Sequence, residues 1–73
     1  MNTISKEKTM NEKIKALRTG RGETLEVFAK ALGITVERLM ILESGKELPN
    51  VNDLWKMSVI CGVKMDYFLG DMI

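Results

Sequence analysis

Apolar positions recur at helical spacing along most of this chain and are cut into short runs by glycines. The first nine residues carry no such period, so residues 1–10 read as a flexible N-terminal arm. Beyond it, Ile14 and Leu17 stand three apart, with Met10 one turn ahead of Ile14. This spacing predicts a first helix at about 11–19, broken by Gly20 and Gly22. Thr24 suits an N-cap, its hydroxyl accepting from a first-turn amide. It opens a second helix, 25–32, with Leu25, Phe28, Ala29 and Leu32 on one stripe, stopped by Gly33. Thr35 caps a third helix, 36–44, which Gly45 closes. After Pro49, which cannot continue a helix, Asn50 caps a fourth at 51–61, with Asp53 placed to favour the helix dipole. Leu54, Met57 and Cys61 form its apolar stripe, Gly62 ends it, and a last turn at 65–69 returns Met65, Phe68 and Leu69 to the core. The expected fold is all-α, a five-helix bundle over residues 11–71.

Between the second and third helices lie only Gly33, Ile34 and Thr35. So short a turn cannot lay two helices antiparallel side by side, and they must cross steeply, as in a helix-turn-helix. That corner leaves the outer face of the third helix free to enter a DNA major groove about 12 Å wide. Charge adds an asymmetry. Residues 1–22 hold six basic and two acidic side chains, whereas residues 23–73 hold five basic and eight acidic, for a net charge of +1. Only the N-terminal part therefore has the basic character that phosphate binding favours, and a lysine-rich solubilising segment accounts for it as well.

Several stretches resemble one family: Ile14-Lys15-Ala16-Leu17-Arg18, Phe28-Ala29-Lys30-Ala31-Leu32-Gly33-Ile34-Thr35, Leu42-Glu43-Ser44-Gly45-Lys46 with Leu39 and Pro49, and Cys61-Gly62-Val63 with Asp66-Tyr67-Phe68-Leu69-Gly70. Over residues 11–71 the chain is similar to the phage-repressor and Cro (XRE-type) helix-turn-helix domain. The resemblance implies a lambda repressor-like bundle, a recognition role for the third helix, and a dimer on operator DNA. It also implies a structural ion pair between Arg18 and Glu43, in keeping with the preference of half-buried carboxylates for a guanidinium partner. The DNA-binding positions it implies are Thr24, Leu25, Thr35, Val36, Glu37, Arg38, Met40, Ile41, Ser44 and Lys46.

Several of those positions depart from the family's polar pattern. Leu25 cannot donate to a phosphate or a base edge, and Val36, Met40 and Ile41 offer only apolar contact to a thymine methyl. Glu37 can accept from cytosine but repels phosphates. Arg38, Lys46 and Ser44 remain as phosphate contacts, with Lys6, Lys8, Lys13 and Lys15 adding long-range attraction. Two functions follow. One is a sequence-specific transcriptional regulator that binds double-stranded DNA. The other is a protein-interaction module on the same fold, such as an antirepressor, antitoxin or inhibitor, docking a partner or a second copy through Val36, Met40 and Ile41.

Other chemistry has little support. The chain has no histidine and one cysteine, and neither paired carboxylates nor a phosphate-cradling loop appears, so no enzyme, metal, cofactor or small-molecule substrate is expected. Gly20-Arg21-Gly22 follows a helix, the wrong context for a nucleotide loop. Cys61, Met57 and Met65 read as core, and helix-period packing accounts for Trp55 and Tyr67, which lie on different helices. No apolar run is long enough to span a membrane, and a single thiol suits the cytoplasm.

Overall fold

Four of the five helices begin at a side chain that caps them, and three of those end at a glycine in the left-handed region. The computed structural model describes residues 9–69. Helix α1 spans Met10–Gly20, α2 Leu25–Leu32, α3 Val36–Ser44, α4 Val51–Cys61 and α5 Asp66–Leu69. Thr24 and Thr35 accept from Val27 N–H and Arg38 N–H at 3.1 and 3.0 Å. Asn50 and Asp53 cap reciprocally: Asp53 N–H donates to Asn50 Oδ1 at 2.8 Å and Asn50 N–H to Asp53 Oδ2 at 3.0 Å.

The start of α1 differs from the expected arm of residues 1–10. Thr9 and Glu12 form a second capping box, with Thr9 N–H donating to Glu12 Oε1 at 2.9 Å, so Thr9 and Met10 belong to the helix start. The rest of that arm, residues 1–8, lies outside the described residues, as do Gly70 and Asp71 at the other expected boundary. Gly20 is carried within the last turn of α1, and Gly22, at φ +68°, makes the break. The last helix starts at Asp66, one residue later than the apolar spacing predicts.

Packing brings α3 against α1 and α2, and α4 against α2. Ile14, Phe28, Ala29, Leu32, Leu39, Leu42, Leu54, Met57 and Phe68 form the buried core. Burying each of the larger side chains contributes about 1.5–3 kcal/mol, and this shared core holds α2 and α3 together across the turn at residues 33–35. Among the described residues, no helix is long and apolar enough to cross a membrane.

Candidate nucleic-acid interface

The outer face of α3 is built by contrast with its inner one. Leu39 and Leu42 are fully buried, while Glu37, Met40 and Ser44 face solvent and Ile41 is half-buried. Glu37, Met40, Ile41, Ser44 and Lys46 line a shallow groove of about 240 Å³. Met40, at 52% exposure, is its most prominent apolar group. Ser44 Oγ donates to Ile41 O at 2.8 Å and accepts from Lys46 N–H at 3.3 Å, which shapes the loop presenting the exposed Lys46. The hydroxyls of Thr24 and Thr35 accept within their caps, and each keeps a proton to donate.

Three expected positions sit elsewhere. Leu25 and Val36 are half-buried against the core, because the first residue of each short helix lies on the same side as its inner stripe. Val36 and Ile41 are both half-buried, so of Val36, Met40 and Ile41 only Met40 is exposed. Arg38 turns sideways instead of outward: its Nη2 donates to Asp53 Oδ2 at 2.9 Å and its Nη1 to Glu47 Oε1. Asp53 is buried, and an ionised carboxylate there needs a cation. Its bond, ahead of that to Glu47, raises the affinity of the Arg38 guanidinium for its proton.

The other two arginines are committed in the same way. Arg18 grips Glu43 through Nε at 2.7 Å and Nη2 at 3.1 Å, and its Nη1 donates to Glu23 O at 3.0 Å. The hydrogen bonds to Glu43 raise its hold on the proton against an opposing desolvation cost. Arg21 pairs with Glu23 at 3.0 Å and reaches Ile60 O, the carbonyl near the end of α4, at 3.1 Å. All three arginines of the chain thus pair with carboxylates inside the fold. The cations on the outer surface near α3 are lysines, which bind phosphate as point charges and lack the fork that reads guanine. Lys13 Nζ donates to Tyr67 O at 2.8 Å and lies 5.5 Å from the Tyr67 ring centroid, which anchors its charge near the end of the chain's last described helix.

Sequence spacing missed one surface. Val51, Trp55 and Val59 of α4 are 72%, 58% and 58% exposed, so Trp55 is not the packed residue its helical position suggested. Two apolar stripes run along α4: Leu54 and Met57 are buried as their spacing predicts, with Cys61 half-buried, and the second stripe stays in solvent. Among the described residues, no group of three or more carboxylates or thiols lies together to hold a metal ion.

Comparison with known proteins agrees with this geometry. The helix-turn-helix family model matches residues 14–68. Among curated proteins, none matches the chain at a significant level. Among solved structures, the chain is similar to the P22 c2 repressor, which was crystallised with a synthetic operator in the presence of Tl⁺. The two share 22% identity and a TM-score of 0.77 over 85% of this chain and 94% of that one. With the family match spanning α2, the three-residue turn to α3 and the Arg18–Glu43 pair, the chain belongs to the helix-turn-helix family of the phage-repressor and Cro (XRE) type.

Proposed function

We propose that the protein is a sequence-specific transcriptional regulator that binds double-stranded DNA by laying α3 in the major groove. The observation that carries this reading is the outer face of α3, where Glu37, Met40 and Ser44 are exposed among the described residues while the inner face anchors the core. Family membership and the fold shared with an operator-bound repressor support it. In this reading Lys46, Ser44 and the cap hydroxyls of Thr24 and Thr35 meet the phosphates. Met40 and Ile41 meet thymine methyls, and Glu37 accepts from a cytosine amino group. Leu25, Val36 and Arg38 support that face from behind. The protein acts in the cytoplasm, by binding and not by catalysis. The rival reading, a protein-docking face on α3, would use Val36, Met40 and Ile41, of which Met40 is exposed while Val36 and Ile41 are half-buried.

Fluorescence anisotropy on a labelled random duplex, followed by selection from a random pool, tests the proposal. Non-specific binding at about 10⁻⁴–10⁻⁶ M is expected, weakening steeply between about 50 and 200 mM salt, with selection enriching one site. Absence of binding at about 50 mM salt, or of any enriched site, overturns it.

A further inference from the structure

Glu37 is the acidic side chain of the α3 groove, and its neighbours there are Met40, Ile41, Ser44 and Lys46. Positions 37, 40, 41 and 44 recur at three and four residues, so they share one face of the helix. Glu37 is exposed, and its carboxylate has no ion pair or hydrogen bond among the described residues. Arg38 beside it is turned to Asp53 and Glu47, and Lys46 in the same groove is not paired with it. An acid in the first turn favours the helix dipole, which accounts for the charge but not for the apolar side chains set beside it. A carboxylate carried into the major groove is repelled by phosphates and needs a donor on a base edge. Cytosine N4 is the donor suited to it, because adenine sets an N7 acceptor beside its amino group.

We propose that α3 reads 5-methylcytosine, with Glu37 accepting from the N4 amino group while Met40 and Ile41 pack on the C5 methyl of the same base. In cytosine, C4 and C5 are bonded neighbours, so methylation sets a donor and a methyl side by side at the major-groove edge. The α3 groove offers the matching pair, a carboxylate beside an apolar surface. The unmodified bases match half of it at most. Thymine has the methyl, but its O4 acceptor meets the carboxylate. Unmodified cytosine has the donor and leaves Met40, 52% exposed, without its apolar contact. N6-methyladenine has a methyl, but its remaining N–H is spent in base pairing. This specificity rests on α3 entering the major groove, the reading proposed above. It adds that the target DNA is the product of methyl transfer to cytosine C5.

Selection by the full chain from two random duplex pools, one amplified with 5-methyl-dCTP in place of dCTP, tests it. Anisotropy then follows on the enriched site with its cytosines methylated singly. The expected result is a cytosine whose methylation tightens binding about fourfold at constant salt, the worth of one buried methyl. Thymine at that position is expected to bind more weakly than 5-methylcytosine. Met40→Ala is expected to lose most of the gain while still binding the unmethylated site. Glu37→Gln, whose amide pairs with adenine, is expected to shift the preferred base there toward adenine. Both side chains are exposed, so helical circular dichroism is expected to be unchanged in each variant. A wild-type chain that binds both pools, with no cytosine at which the methyl tightens binding, overturns the proposal. So does a gain undiminished in Met40→Ala. Binding to neither pool overturns the DNA-binding reading itself, and this specificity with it.

Discussion

Arg18 and Glu43 form a two-point clasp between the end of α1 and the end of α3, with Nε to Oε2 at 2.7 Å and Nη2 to Oε1 at 3.1 Å. The third arm of the guanidinium holds Glu23 O, so one side chain ties α1, α3 and the turn before α2. The angle at which α3 is presented therefore depends on a pair that lies away from its outer face. Both side chains are mostly shielded from water, so loss of one partner strands the other.

Glu43→Ala is expected to cost about 3 kcal/mol in urea unfolding, because Arg18 is left charged and unpaired. Arg18→Met combined with Glu43→Leu removes both charges and is expected to recover most of that loss. A double-substituted chain as unstable as Glu43→Ala would show that the clasp geometry, and not the stranded charge, sets the cost.

Gly45 sits at φ +81°, and a Cβ there would lie 3.2 Å from Asn11 Cγ and Oδ1. Asn11 Nδ2 also donates to Glu43 O at 3.3 Å, so it has little freedom to withdraw. Gly62 has a similar φ of +70° with nothing within 4 Å. Gly62→Ala is expected to cost about 1 kcal/mol from backbone strain alone. Gly45→Ala is expected to cost more, through the added contact. Equal losses in thermal unfolding would place the whole effect in the backbone.

Arg38 and Lys46 separate a structural cation from the proposed phosphate contact. Lys46→Gln is expected to lower the salt slope of DNA binding by about 0.9, the value of one phosphate. Arg38→Gln is expected to leave the slope unchanged, since its guanidinium serves Asp53 and Glu47. A slope that falls in the Arg38 variant while Lys46→Gln changes nothing would reverse the two roles.

Burial pushes the Cys61 thiol up, against the lowering influence of Arg21, with Glu23 adding a smaller upward push. Its thiolate is therefore scarce at neutral pH, and alkylation is expected to be slower than for the unfolded chain. The folded thiol keeps its proton to higher pH than the unfolded one. Its stabilising contribution is full below the unfolded value of about 8.5 and declines as pH rises through the folded value. Wild type is accordingly expected to lose more stability than Cys61→Ala on raising the pH through that window. Parallel losses in the two proteins would remove Cys61 from the effect.

The helices were legible in the chain because their signals are local. Thr24, Thr35 and Asn50 each accept from an amide three residues on, and Gly33, Gly45 and Gly62 each adopt the left-handed turn at the predicted stop. Thr9 escaped notice because its apolar context begins only at Met10, although Glu12 three residues on completes its capping box. The sequence by itself determined which segments become helices, that only three residues join α2 to α3, and which family the chain resembles. Only the tertiary structure decided how each helix is rotated about its own axis. That rotation turned Val36 onto the core, sent Arg38 to Asp53, and left Trp55 in solvent. The reason is physical. A 3.6-residue period marks a stripe wherever apolar side chains repeat, but when a helix carries two stripes, the inner one is chosen by the neighbouring helices, whose positions depend on residues far away in the chain.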